Sequence, residues 1–233
     1  MHINNSNAIK KYIIGNWKSN KTKNEVSSFF KSLKENLNSS NNISYKDIEL
    51  AVCPSFVHLE LSKQLVEELK LPLTLGAQDI SPFESGAFTG EVNGSQLKEY
   101  VKYVIIGHSE RRNHFQESEN LLRLKVFQAK KYGINVIFCV PDSKTSIPKE
   151  VNLIAYEPVF AIGTGKSDTP QNANNVIKEI KNKNSNIPVI YGGSVTDVNI
   201  ADFLNKDSID GVLPGKASLD AETFYRMLIN AAS

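Results

Sequence analysis

The chain has 233 residues, 40% of them hydrophobic, with 27 basic and 25 acidic side chains and a net charge of +2. That balance excludes a strongly charged surface for nucleic acid or an anionic membrane, and the hydrophobic share excludes disorder. The length is short for two ordinary domains and fits one α/β barrel of about 250 residues, slightly tightly.

Cys53 and Cys139 lie in apolar runs without metal-ligand spacing, so both read as reduced core residues in a reducing compartment. The Asn-rich segment 1–11 has no apolar signal-peptide core. No run approaches the roughly 18 apolar residues of a membrane span. These features predict a cytoplasmic protein with a frayed segment 1–11 ahead of a single domain, 12–233.

In chain order, the first strand-like run is 12–15, followed by Val26, Phe29, Phe30, Leu33 and Leu37 at helical spacing within 25–37. Further strand-like runs follow at 48–53, 73–77 and 103–106. Residues 119–132 repeat the helical pattern through Leu121, Leu122, Leu124, Val126 and Phe127, ahead of strands at 135–140 and 153–156. Thr169 and Pro170 supply an N-cap and a first helical position. Strands at 188–191 and 211–213 and a last helix at 221–232 complete the chain. Strand and helix in alternation predict a parallel sheet with helices outside, an α/β fold with eight strands.

One crossover is too short for this scheme. Residues 141–152 contain Pro148, and a parallel crossover ordinarily needs a dozen or more residues with a helix. Proline inside a helix costs ~3 kcal/mol. The helix after the fifth strand is therefore expected to be missing or reduced to a turn, leaving the outer wall near strands five and six more exposed.

Three of the apolar runs end on chemically loaded residues. Ile13-Ile14-Gly15 leads into Asn16-Trp17-Lys18, Ile105-Ile106-Gly107 into His108-Ser109-Glu110, and Ile154-Ala155-Tyr156 into Glu157. Glu157 precedes a Gly-rich stretch, Pro158, Val159, Phe160, Ala161, Ile162, Gly163, Thr164, Gly165, Lys166, Ser167 and Asp168, that suits a mobile lid. Proton movement alpha to a carbonyl needs a carboxylate base, an electrophile for the developing oxyanion and fixed positive charge. Taken singly, each residue has a plain structural reading: a solvated Glu, a satisfied His, a Lys capping a strand. Together at one rim of a sheet they make an active site. Gly192-Gly193-Ser194 and Gly215-Lys216-Ala217-Ser218 follow the seventh and eighth strands, where barrels place phosphate-binding turns.

The segments GNWKSN, GAQDISPFESGAFTGE, IIGHSERR, AYEPVFAIGTGKS, YGGSV and DGVLPGKASL, in that order, resemble the triosephosphate isomerase family. The resemblance implies a (β/α)8 barrel that interconverts dihydroxyacetone phosphate and glyceraldehyde 3-phosphate without cofactor or metal. It implies Glu157 as catalytic base and His108 as electrophile, a neutral imidazole next to a helix N-terminus being the established example of this tuning. Lys18 and Asn16 would contact the substrate, with Glu110 an active-site residue of less settled role. Gly163, Ser194, Gly215 and Lys216 would hold the phosphate. Family resemblance also implies a homodimer in which Thr89, on the long loop 76–91, approaches the partner's active site.

The chain departs from the family pattern at three places. Lys216 stands at the usual second glycine of the last phosphate motif, after Pro214, which lacks an N–H. A positive φ there would strain Lys216; otherwise the turn keeps its N–H and gains only a side chain. Phe160 replaces the usual lid Trp, whose indole bonds a carboxylate after the fifth strand, and the short crossover puts that partner in doubt. Two other readings stay open from the residues alone. Another phosphate-handling barrel enzyme would share the phosphate turns but not the other motifs together. A catalytically dead paralogue serving as a scaffold is opposed by Lys18, His108 and Glu157.

Overall fold

The computed structural model describes residues 11–39, 46–158 and 168–232. Eight parallel strands close into a barrel in sequence order. They are β1 (Lys11–Asn16), β2 (Ile48–Cys53), β3 (Thr74–Ala77), β4 (Tyr103–Ile106), β5 (Asn135–Val140), β6 (Leu153–Tyr156), β7 (Val189–Tyr191) and β8 (Gly211–Val212). Around them lie α1 (Lys23–Asn38), α2 (Leu59–Glu68), α3 (Gly94–Leu97), α4 (Ser109–His114), α5 (Glu119–Lys131), α6 (Pro170–Lys183), α7 (Ile200–Leu204) and α8 (Ala221–Ala232).

β1 begins at Lys11, one residue inside the segment expected to fray. Lys11 pairs with Ile48, and its ammonium donates to the Leu204 and Ile209 carbonyls at 3.0 and 3.2 Å. Residues 1–10 lie outside the described residues. No helix among the described residues is long and apolar enough to cross a membrane.

Local chemistry fixes the helix starts. The Thr22 hydroxyl caps the Glu25 N–H while the Glu25 carboxylate reaches back to the Thr22 N–H, a capping box for α1. Thr169 caps α6 through the Asn172 N–H, with Pro170 in the first turn. The apolar stripe Val26, Phe29, Phe30, Leu33 and Leu37 is buried as its spacing requires.

α5 departs from the expected pattern. Leu122, Val126 and Ala129 are buried at i, i+4 and i+7, whereas Leu124 and Phe127 are 50% and 61% exposed and Lys125 is buried. A stripe of that phase leaves residues two positions off on the outer side.

The barrel divides its strands' side chains by alternation. Ile14, Cys53, Ile105, Ile137, Cys139, Ala155, Ile190 and Leu213 fill the interior, while Ile13, Val104, Ile106, Phe138, Ile154 and Val189 pack outward under the helices. Burial pushes the Cys53 thiol up to about 12 and raises Cys139 well above its ordinary value, with the Glu157 charge adding to the latter. Both cysteines are free.

Between β5 and β6, residues 141–152 form turns and no helix, in agreement with the expected loss. The strands themselves stay covered, with Phe138, Val140 and Ile154 fully buried, and the exposed apolar side chains of the outer wall beside β5 are those of α5. Val151 is buried, Ile147 packs on the core, and the Arg112 guanidinium lies 5.6 Å from the Phe138 ring centroid. Exposure falls on Leu124 and Phe127 of α5.

A buried charge cluster ties the loop after β3 to α4 and α5. The Lys125 ammonium contacts Asp79 at 2.6 Å and Glu117 at 2.5 Å, and Arg111 contacts the same two carboxylates at 2.8 and 2.7 Å. Burial pushes the Asp79 carboxyl upward, and Lys125 and Arg111 oppose that shift. Removing one cation leaves two buried carboxylates sharing the other, a loss of about 3–5 kcal/mol. Lys125→Met is therefore expected to lower the urea midpoint by that equivalent without changing the slope; an unchanged midpoint would show that the cluster is not structural.

Candidate active site

Alternation also decides which rim residues face inward. Ile14 points into the barrel, so Asn16, two residues on, does too; Ala155 likewise brings Glu157 inward. His108 has the wrong phase, because Ile106 faces outward. Gly107 corrects it with φ +73, a conformation that L side chains avoid. The chain turns there, and His108 enters the same cavity as Asn16, Lys18 and Glu157.

His108 Nδ1 accepts the Glu110 N–H at 3.2 Å, at the start of α4. With Nδ1 as acceptor, the neutral ring carries its proton on Nε2. Nε2 lies 2.9 Å from Glu157 Oε1, while the Ser109 N–H donates to Glu157 Oε2 at 2.8 Å. Both oxygens of a carboxylate 2% exposed are thus satisfied from one short helix start. Gly192 gives Glu157 its room: a Cβ there would lie 3.0 Å from Glu157 Cγ.

Lys18 sits at φ +53, an uncommon conformation for a residue with a side chain. Surrounding bonds impose it. Its N–H donates to Asn16 Oδ1 at 3.1 Å, and its carbonyl accepts from Ser55 Oγ at 3.1 Å and Gln78 Nε2 at 2.9 Å. The ammonium reaches Glu110 Oε1 at 2.5 Å. Trp17, of opposite phase, is fully buried and donates from Nε1 to the Ser218 carbonyl at 2.9 Å.

The cavity measures about 810 Å³ and is lined also by Gly193, Ser194, Gly215 and Lys216. Lys216 opens a 3-10 turn, 216–218, and is not among the residues of positive φ, so the turn accepts a side chain there without strain.

Chemically, the arrangement offers a desolvated carboxylate beside an imidazole N–H, an ammonium, and two glycine turns in one cavity. Comparison with known proteins agrees. A model of the family described as triosephosphate isomerase matches residues 11–152 and 143–232. The chain is similar to the triosephosphate isomerase of Mesomycoplasma hyopneumoniae (strain 232), 42% identical over 96% of this chain and 100% of that relative. It is 40% identical to that of Natranaerobius thermophilus over 93% of this chain and 94% of the relative, and 37% identical to that of Trichodesmium erythraeum over 94% and 98%.

The chain belongs to the triosephosphate isomerase family.

Of the site residues expected from sequence, the structure brings Asn16, Lys18, His108, Glu157, Ser194, Gly215 and Lys216 around one cavity. Glu110 reaches it through Lys18 and His108. Thr89 is exposed on the loop after β3, apart from these residues. Of the lid, Val159 to Ser167, including Phe160 and Gly163, lie outside the described residues. Its ends are placed: Pro158 is buried, and the Asp168 N–H donates to the Tyr191 hydroxyl at 3.0 Å. Asp168 also accepts from the Thr169 N–H and Asn172 Nδ2, at 2.8 and 2.7 Å. Asp142, the carboxylate after the fifth strand, accepts from the Lys144 and Thr145 N–H groups at 2.8 and 2.9 Å.

Two contributions escaped the sequence reading: the Ser109 N–H and the φ of Gly107. Their shared signal is a glycine between an outward-phased strand residue and a functional His. Arg112 locks this corner, donating to the Gly107 carbonyl at 2.8 Å and the Cys139 carbonyl at 3.2 Å. A Cβ on Gly107 would lie 3.0 Å from Arg112 Nη2. Gly107→Ala is expected to displace His108 and reduce isomerase kcat by about 10- to 100-fold, since a shift of ~1 Å costs that much. Wild-type turnover in this variant would refute the assigned role of the glycine.

Proposed function

We propose that Glu157 is the base of the isomerase reaction, His108 its electrophile, and Lys18 with Asn16 the groups that hold the substrate at the reacting carbons. The reaction interconverts dihydroxyacetone phosphate and glyceraldehyde 3-phosphate in glycolysis by proton transfer through an enediolate. It is an intramolecular aldose–ketose isomerisation, and its reversibility lets the same site serve gluconeogenesis. The reading calls for no cofactor or metal, because only protons move.

The observation that carries these roles is the 2.9 Å contact between His108 Nε2 and Glu157 Oε1. Nε2–H cannot donate fully to Glu157 and to a substrate oxygen at once. Substrate entry therefore takes the imidazole donor for its carbonyl oxygen and frees Glu157 Oε1 towards the adjacent C–H. The carboxylate removes that proton, and charge develops on the oxygen bonded to His108. Lys18 offsets the negative charge across the cavity, with Glu110 holding its ammonium. The hydroxyl proton on the first carbon's oxygen passes to the second's, and the proton held by Glu157 is delivered to the neighbouring carbon, leaving the carbonyl on the first.

Phosphate is held by Ser194, Gly215 and Lys216, beside Lys18, with Gly163 of the lid 158–168 assigned to the same phosphate from its motif alone. Exclusion of water from the site would strengthen each of these interactions and protect the intermediate. Glu157→Asp tests the base directly, since it withdraws the carboxylate by about one methylene. A loss of roughly 100-fold in kcat is expected in an assay coupled to glyceraldehyde 3-phosphate. Retention of full turnover would remove Glu157 from the role.

The assembly is proposed as a cytoplasmic homodimer, with Thr89 near the partner's site. Supporting this, the loop after β3 displays Phe83 and Phe88, stacked at 4.1 Å and 43% and 40% exposed. Such a pair on a monomer surface is costly in water and suits burial against a second copy. Sedimentation equilibrium at micromolar concentration should return twice the chain mass of 25.9 kDa, and Phe88→Asp should shift the protein towards monomer. A wild-type monomer would overturn the proposal.

A further inference from the structure

Lys216 is the one residue of the phosphate turns that brings a full charge to the cavity wall. Its position has three features that set it apart from an ordinary surface lysine. The residue lines the same cavity as Lys18, Gly193 and Ser194. Its backbone opens an unstrained 3-10 turn directly after Gly215. Among the described residues, no carboxylate lies within ion-pair distance of its ammonium.

That last feature is notable because Asp197 and Asp220 line the same cavity. Both are committed elsewhere. Asp197 Oδ2 accepts from Arg226 Nε at 2.6 Å. Asp220 Oδ1 accepts the Thr223 N–H at 2.8 Å and the Thr223 hydroxyl at 2.7 Å, bonds that hold its carboxyl below the usual range. Lys18, in turn, is matched by Glu110 at 2.5 Å. The positive charge of Lys216 is thus left for a ligand, beside the Gly215 turn where the only other ammonium among the described residues of the cavity, Lys18, is already paired with Glu110.

We propose that the Lys216 ammonium is a specificity-determining contact, selecting a dianionic phosphate over an uncharged or monoanionic end group and speeding capture of the substrate. The inference rests on the phosphate contacts assigned above. A phosphate monoester carries close to two negative charges at neutral pH, so a free ammonium beside glycine amides favours it over a neutral triose. An ammonium on an exposed stem acts through its charge, and its effect must fade as salt rises.

Three proteins test this: wild type, Lys216→Gln and Lys216→Arg. The readouts are kcat and KM for glyceraldehyde 3-phosphate and competitive inhibition by inorganic phosphate, each from low to high ionic strength. Lys216→Gln is expected to raise KM and the inhibition constant by about 3- to 10-fold at low salt. It should also flatten the fall of kcat/KM with salt. Lys216→Arg should restore the salt slope. A Gln variant with the wild-type inhibition constant and salt slope would overturn the proposal. So would equal losses in the Gln and Arg variants, which would mark a role of shape and not charge. Failure of the isomerase assignment itself would appear differently, as wild-type protein without turnover that still binds inorganic phosphate in a Lys216-dependent manner by calorimetry.

Discussion

Closure of the sheet between its first and last strands is the constraint on which the site depends. β1 and β8 meet over only two paired positions, Tyr12 with Gly211 and Ile13 with Val212. A Cβ on Gly211 would come within 2.3 Å of the Tyr12 carbonyl oxygen, so the strands can meet there only because that residue has none. Above the seam the chain is stapled across its whole length. The Asn16 N–H donates to the Pro214 carbonyl at 2.9 Å, and Lys21 Nζ donates to the Leu219 carbonyl at 2.6 Å. Trp17 bonds Ser218, 201 positions away. These bonds set Lys18 against the last phosphate turn, where a Cβ on Gly215 would lie 3.4 Å from Lys18 Cε. The ammonium and the glycine turn thus share one cavity wall because the barrel closes there.

The opposite wall depends on α4, a helix of six residues. Its first turn supplies the Ser109 N–H to Glu157 and the Glu110 N–H to His108, and the Glu110 side chain reaches Lys18. One helix start therefore orients the carboxylate, fixes the imidazole tautomer and holds the ammonium. The buried cluster of Arg111, Lys125, Asp79 and Glu117 fixes α4 from behind. Because a buried carboxylate without donors is expensive, Glu157 rests on these bonds in the absence of substrate. The His108 contact is the one of these bonds made by a side chain, and a bound polar group could take its place without leaving the imidazole donor unsatisfied.

Strands were legible in the sequence because each is a short apolar run ending at a polar or glycine residue, and buried parallel strands admit little else. Helix starts at Thr22 and Thr169 follow from side chains whose bonds are local. The phase of α5 was less legible. Its leucines and Phe127 surround the helix more widely than one face can bury, and the choice depends on Lys125 meeting two carboxylates from other segments. Nothing in a helical pattern distinguishes Lys125 from Lys130 or Lys131. His108 shows the same limit at the site. Simple alternation from Ile106 puts it outside, and only the left-handed turn at Gly107 brings it in. For Lys216, residue type alone left two backbone conformations open, and the 3-10 turn selects the unstrained one.

The missing helix after β5 shows how a barrel tolerates loss of one outer layer. What a crossover must do is return the chain, satisfy the strand edges and cover the outward side chains. Here Asn152 does the second task locally: its side-chain oxygen accepts the Val136 N–H at 2.9 Å, and its own N–H donates to the Val136 carbonyl at 3.2 Å. The neighbouring helices hold the return in place, through Ser143 with Glu179 and Lys183 of α6 and through Ser146 with Arg123 of α5. Ile147 and Val151 cover what the helix would have covered. The outward side chains of β5 and β6 therefore stay dry. What is lost is cover for the flank of α5, where Phe127 lies one turn from Arg123 and remains 61% exposed. The same economy reaches the rim. There the tight turn uses the Asp142 carboxylate for the Lys144 and Thr145 N–H groups.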